Sequence, residues 1–303
     1  MTNELKRYLK NKKNLEDAFL YNPGHEHDSC GVGFVASTDG KQRREVVQGG
    51  IDALKAVWHR GAVDADGKTG DGAGILTQIP YNFFDDEIAK TGHEKRDETL
   101  GIGMMFLPRN DYAALEKCRT IIESELLDHG YYIYGWRQVP INNSVIGEKA
   151  NSTRPEIEQV MFVNNIERDK DFDFAKELYL VRRRLEKRIA KQQINGFYVC
   201  SLSFESIIYK GLFLAEQLSI FYPDLANEEF ISSFAVFHQR YSTNTFPSWG
   251  LAQPFRLLAH NGEINTISGN TNWMRNHQTR ITTEIFGDDS EQVKPIIEKN
   301  VSD

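Results

Sequence analysis

The chain has 303 residues, 40% hydrophobic and 26% charged, enough to bury a core in one large domain or two ordinary ones. With 36 basic residues against 43 acidic ones the net charge is -7, which excludes the electrostatic footprint of a nucleic-acid binder. No apolar run approaches the ~18 residues of a membrane span. The three cysteines, Cys30, Cys118 and Cys200, are too scattered for a disulfide scaffold or zinc ribbon, so a soluble cytosolic enzyme is expected.

Residues 1–29 carry five basic side chains (Lys6, Arg7, Lys10, Lys12, Lys13) and five acidic ones (Glu4, Glu16, Asp17, Glu26, Asp28). They lack the apolar stretch of a secretory signal and are too acidic for a transit peptide. They read either as a short helical surface arm or as a pro-segment ending at Ser29. Strand-like runs follow at 31–37, 74–79, 100–107, 158–163, 197–204, 234–241 and 255–260, each rich in Val, Ile, Phe or Tyr and bounded by turn residues. Between them, 111–127 places Leu115, Cys118, Ile122 and Leu126 at helical spacing. The segment 173–192 does the same with Leu178, Val181, Leu185 and Ile189. The basic run from Arg182 to Lys191 reads as a solvated helix face, because Glu186 dilutes it and the whole chain is acidic. Segments 90–99 and 142–155 read as polar loops or insertions. Strands interspersed with helices predict an α+β or layered α/β class. The final Asn300-Val301-Ser302-Asp303 lacks turn punctuation and reads as cut inside an element.

Four segments carry chemistry. In His27-Asp28-Ser29-Cys30-Gly31-Val32-Gly33, a cysteine opens a β-run and the glycines after it leave its sulfur approachable. Alone, such a cysteine reads more often as just a small buried apolar residue. The second segment, His59-Arg60-Gly61 followed by the Gly-rich 67–74, tempts a phosphate-cradle reading. It misses the G-x-x-x-x-G-K-[ST] template, because Gly61 stands six positions before Gly67 and a strand-like run follows where a helix should start. A tight backbone turn packed beside a site is the better reading. The third, Phe237-His238-Gln239-Arg240-Tyr241-Ser242-Thr243, puts at a strand end an arginine that can hold a carboxylate bidentately or pair with an internal acid. The fourth, His260-Asn261-Gly262-Glu263, reads as a hairpin turn. It also offers an amide donor beside an unhindered backbone N–H, the makings of an oxyanion hole. Together, cysteine, arginine and Asn-Gly form a set for hydrolysing an amide on a small anionic substrate.

In combination, Cys30-Gly-Val-Gly-Phe, HRGA…DADGKTGDGAGI, HQRYSTNTFPSW…AQPFR and AHNGEINT resemble the class II glutamine amidotransferases of the glutamate synthase type, which are N-terminal-nucleophile hydrolases. The resemblance runs from Cys30 to Asp303 and implies a four-layer αββα sandwich, with 1–29 a removable propeptide and 30–303 an amidotransferase domain truncated at its C-terminal end. It further implies Cys30 as nucleophile, Asn261 and Gly262 as oxyanion hole, Arg240 on the substrate α-carboxylate with Thr243 lining the pocket, and Asp303 on the α-ammonium. L-Glutamine would be the substrate, and ammonia would pass to a synthase region carrying FMN and an iron–sulfur cluster, reduced through a reductase subunit or ferredoxin. Neither cofactor nor any metal, nucleic acid or membrane is expected on this chain. Another amide hydrolase of the same superfamily, or an inactive fragment that binds glutamine or a partner, are the alternatives.

No histidine is dedicated to activating Cys30: His27 would leave with the pro-segment, and His238 and His260 are likelier structural donors. A freed α-amine, with a pKa of about 7.7–8.0, suits a general base on the nucleophile's own residue.

Overall fold

The computed structural model describes residues 3–19, 22–24, 31–169, 172–239, 246–257, 266–281 and 284–297. The chain separates into two compact units, Met1–Cys30 and Gly31–Asp303. In the first, helix α1 (Asn3–Asp17) supplies the helical arm that the polar N-terminal sequence predicts.

The second unit opens with β1 (Val32–Ala36) and α2 (Arg44–Ala56), continues through β2 (Ala73–Gln78) and α3 (Tyr81–Lys90), and reaches β3 (Leu100–Leu107). Next come α4 (Tyr112–Asp128), β4 (Tyr131–Gln138), a one-turn helix α5 (Glu148–Ser152), β5 (Glu156–Asn164) and α6 (Phe174–Lys191). Strands β6 (Tyr198–Ser203) and β7 (Ser206–Gly211), a short α7 (Leu218–Phe221), β8 (Phe234–Gln239) and α8 (Ile267–Gln278) complete it. One sheet has the order β1-β8-β2-β7 and the other β4-β5-β3-β6, with antiparallel neighbours throughout. Two antiparallel sheets with their helices make an α+β sandwich. Residues Phe204 and Glu205 alone carry the chain from β6 in one sheet to β7 in the other.

Two cores hold these layers. Helices α4 and α6 cover one face of the second sheet: Leu115, Cys118, Ile122 and Leu126 meet Leu178, Val181, Leu185 and Ile189 over Met105, Val160 and Phe162. This is the apolar stripe that the spacing predicts, and each helix starts on an aspartate cap. Asp111 accepts from the Ala114 N–H and Asp173 from the Lys176 N–H, both at 2.9 Å. The other face of that sheet shares a larger core with α2, α3 and the first sheet, including Ile75, Phe84, Ile102, Phe106, Met161 and Tyr209. The basic run of α6 is not the solvated face that the sequence predicts: Arg183 is buried, and the run is paired within α6 and with α4. Arg182 and Arg183 both reach Glu186, and Arg188 reaches Glu125 at 2.8 Å.

Several elements escape the sequence reading. Helix α2 contains Gly49-Gly50, which lowers its propensity. The structure needs Gly50, because a Cβ there would sit 2.7 Å from the Ala235 Cβ on β8. Strand β7 lies beyond the predicted run, which stops at 204, and the aromatic β4 is overlooked. Segment 142–155 is no loose insertion: α5 buries Ala150, whose carbonyl accepts from the Trp249 indole at 3.0 Å. Residues 255–257, predicted as the start of a strand, form none, and 258–260 lie outside the described residues.

A buried polar network ties the larger core together. Arg137 on β4 donates to both Asp224 carboxylate oxygens at 2.7 and 2.8 Å, to Glu87 at 2.7 Å and to Gln159 at 3.0 Å. The Tyr209 hydroxyl donates to Asp224 at 2.8 Å and accepts from the Gln159 amide at 2.9 Å. Burial opposes the Arg137 charge, but Asp224, Tyr209 and Glu87 more than offset it and hold the guanidinium protonated.

Candidate active site

The first sheet converges at one end. Strand β8 lies between β1 and β2, pairing Val32 with His238 and Gly33 with Phe237 on one side, and Ala73 with Gln239 on the other. One residue further, the Gln239 N–H donates to the Gly31 carbonyl at 2.7 Å. The residue after Cys30 and the residue before Arg240 are therefore bonded partners, although more than 200 positions separate them. Local sequence makes this approach possible. A Cβ on Gly33 would lie 2.4 Å from the Phe237 ring, so only glycine lets β1 sit under that side chain.

The two glycine-rich segments pack against this end. A single 3₁₀ turn, Trp58–Arg60, leads into Gly61, where a Cβ would fall 2.1 Å from the Gln239 Nε2. The following loop closes on itself: Asp71 N–H donates to the Ala62 carbonyl at 3.0 Å, and Ala62 N–H returns to the Asp71 carboxylate at 3.0 Å. Gly70 presses on backbone, its hypothetical Cβ 2.0 Å from the Phe213 carbonyl oxygen. Gly72, at φ +146°, lies over Ala252.

The Gly-Lys-Thr sequence has internal work. Thr69 donates to Asp66 at 2.6 Å and accepts from the Ala150 N–H at 3.2 Å, while the Lys68 carbonyl accepts from Gln217 at 3.0 Å. Hydrogen bonds from the Thr69 hydroxyl, and from the backbone of Thr69 and Lys68, hold the Asp66 carboxyl well below the usual carboxylate range. The loop is a packed turn running into strand β2, as the sequence predicts, and not a phosphate cradle.

The segment 249–256 packs on the same sheet from β7. Lys210 is almost completely buried, donating to the Gly250 carbonyl at 2.8 Å, with the Tyr198 hydroxyl at 3.3 Å. Burial pulls its ammonium down to about 7, with Arg256 adding to the effect. Sequence reasoning missed Lys210, whose only signal was a lone charge inside the apolar run Ile207-Ile208-Tyr209-Lys210. It also gave Gln239 no role, although the residue stands inside a quoted motif.

The residues predicted to do the chemistry, Cys30, Arg240, Thr243, Asn261, Gly262 and Asp303, lie outside the described residues, as do His27 and His260. The other two cysteines are poor nucleophiles: burial pushes the Cys118 thiol up to about 11 and the Cys200 thiol up to about 12. They also stand in separate cores, so they make no ligand pair for a metal cluster. No group of three or more His, Cys, Asp or Glu among the described residues has metal-ligating geometry, and no described helix is long and apolar enough to cross a membrane.

The family model for class II glutamine amidotransferases matches residues 30–303. The chain belongs to the class II glutamine amidotransferases. With that family comes the N-terminal-nucleophile hydrolase fold, to which the α+β sandwich conforms. The glutamate synthase [NADPH] large chain of Azospirillum brasilense is 61% identical over 289 residues, covering 95% of this chain and 19% of that protein. The chloroplastic ferredoxin-dependent glutamate synthase of Spinacia oleracea is 41% identical over 96% of this chain and 18% of its own length. The glutamate synthase [NADPH] large chain of Bacillus subtilis is 40% identical over 94% and 18%. This amidotransferase thus spans about a fifth of the length of the curated relatives it matches, and it corresponds to the amidotransferase domain of the glutamate synthase large chain.

Proposed function

We propose that this chain carries the glutaminase half-reaction of glutamate synthase, hydrolysing L-glutamine to glutamate and ammonia. The observation that carries the reading is the pairing of Gly31 with Gln239, which joins the two strands that lead to Cys30 and Arg240. The family match beginning at residue 30 supports it independently.

In this reading residues 1–29 are removed and the freed α-amine of Cys30 takes the thiol proton. The sulfur attacks the glutamine side-chain carbonyl, and Asn261 with the Gly262 N–H stabilises the oxyanion. The same amine gives its proton to the departing ammonia, and water then releases glutamate from the thioester. Arg240 takes the α-carboxylate, Thr243 lines the pocket and Asp303 holds the α-ammonium. The cell compartment is the cytoplasm. The ammonia serves reductive amination of 2-oxoglutarate in a synthase region outside this chain, with FMN, an iron–sulfur cluster, and a reductase subunit or ferredoxin as electron source. No step here runs through either cofactor.

Intact mass of the purified chain, read beside its glutamine turnover, tests the proposal. A mass starting at Cys30, with turnover abolished in Cys30→Ser, is the expected result. Turnover that persists in Cys30→Ser refutes the nucleophile. A correctly processed chain that binds glutamine without hydrolysing it refutes the half-reaction.

A further inference from the structure

Away from the candidate active site, a cavity of about 1070 Å³ opens between α6, the β6–β7 connection and the segment 251–257. It belongs to the other end of the first sheet. Ser206 and Ile208 line it and pair with Gln78 and Leu76, whereas Gly31, Gln239 and Ala73 meet at the opposite end of that sheet. Along β7, Ser206 lies ~16 Å from Gly211, at ~3.3 Å per residue.

The walls divide by chemistry. Phe174 and Leu178 from α6, with Leu202, Phe204 and Ile208 from the β6–β7 region, give an apolar lining, and Arg182 and Arg256 add two guanidiniums. Arg256 lies over the Tyr198 ring at 5.4 Å and donates one N–H to the Val199 carbonyl. It has no carboxylate partner among the described residues, and Arg182 shares its own, Glu186, with Arg183. Burial and the nearby Arg256 both oppose the Arg182 charge. Lys210 adds a further cation, its ammonium 4.5 Å from the same Tyr198 ring. Glu98 and Glu205 also line the cavity, but both are exposed, and neither pairs with these arginines in the described contacts.

Guanidiniums that outnumber their carboxylates beside low-dielectric walls focus a field that attracts anions, and their planar N–H groups match a carboxylate in pairs. The volume is large even for a small-molecule pocket, far more than an inorganic anion needs. We propose that this cavity is a second, separate site that binds an amphiphilic carboxylate of the fatty-acid kind, its head on Arg256 and Arg182 and its hydrocarbon body between α6 and the β6–β7 connection. An inorganic anion would leave the apolar walls wet, and a neutral hydrocarbon would leave the guanidiniums unmatched.

Calorimetric titration of the purified chain with decanoate and with 1-decanol, which share a hydrocarbon body and differ in the head, tests the proposal. Decanoate should bind ~10-fold or more tightly than 1-decanol, the worth of a charge-assisted hydrogen bond. Arg256→Gln should erase that preference and leave 1-decanol unaffected. Ala175 is exposed at the start of α6 yet lines the cavity, so a larger side chain fits there without disturbing the core. Ala175→Trp should weaken both ligands ~10-fold or more by occupying the space of the hydrocarbon body. Arg256→Gln by itself keeps the test open if Ala175→Trp does not fold. Saturating glutamine should not displace decanoate, because the two sites lie at opposite ends of the sheet. Equal affinity for the two ligands overturns the inference, as does decanoate binding unchanged in a folded Arg256→Gln or Ala175→Trp. Displacement by glutamine, or no saturable binding below ~1 mM, overturns it too.

Discussion

Replacing Arg137 by methionine keeps an unbranched apolar stem but removes the guanidinium, deleting one charge from the centre of the larger core. Four hydrogen bonds vanish, two to Asp224 and one each to Glu87 and Gln159. Asp224 is left about 5% exposed with the Tyr209 hydroxyl as its remaining described side-chain partner. Summing charge-assisted bonds overstates the loss, since the chain and water relax. Removing one partner of a buried ion pair costs ~3–5 kcal/mol, and each kcal/mol moves the melting temperature by roughly 2–4 °C in a domain of this size. A fall of about 6–20 °C should follow in a thermal melt, with a matching loss in urea unfolding. Adding Asp224→Leu should recover part of it, because the second change removes the stranded carboxylate. A loss under about 1 kcal/mol would falsify the view that this network carries its charges in a dry core.

Gly70→Ala drives a methyl into the Phe213–Leu214 backbone and should cost ~1–3 kcal/mol, whereas Gly269→Ala in open space on α8 should stabilise by ~0.5–1 kcal/mol; paired melts test both, and equal effects would refute the packing argument. Because the Lys210 ammonium sits near 7 when folded against 10.5 ordinarily, the unfolded chain binds more protons between those values. Its contribution to stability therefore rises with pH through that window and is most unfavourable below 7. Lys210→Met should flatten the rise between pH 7 and 9 in denaturant unfolding, and an unchanged slope would refute the assignment. With Cys118 and Cys200 held protonated near neutral pH, iodoacetamide should label Cys30 first and extinguish turnover in step. Earlier labelling of either buried cysteine, by peptide mass mapping, would contradict that order.

Much of this protein is written in local sequence. The stripes of α4 and α6 follow from 3.6-residue periodicity, their starts from Asp111 and Asp173, and most strands from runs of branched and aromatic residues. Such signals depend on neighbours within one or two turns, so residue order alone sets them. The kind of enzyme was legible for a similar reason: Cys30, Arg240 and Asn261-Gly262 each stand inside short motifs whose residue types suggest amide hydrolysis. Family membership confirms the kind of enzyme those motifs imply.

Other features depend on partners far along the chain. Gly50 weakens α2 as a helix and only makes sense beside Ala235, while Gly61 is explained only by Gln239, 178 positions away. Nothing local announces that Arg137 will meet Asp224, or that Lys210 will be buried on a carbonyl. The sequence by itself determined the periodic elements and nominated the candidate reactive groups. Only the tertiary structure decided which glycines are indispensable, which charges are dry, and that β1 and β8 lie side by side. Close approach and desolvation are properties of folded surfaces in contact, and no single segment contains both surfaces.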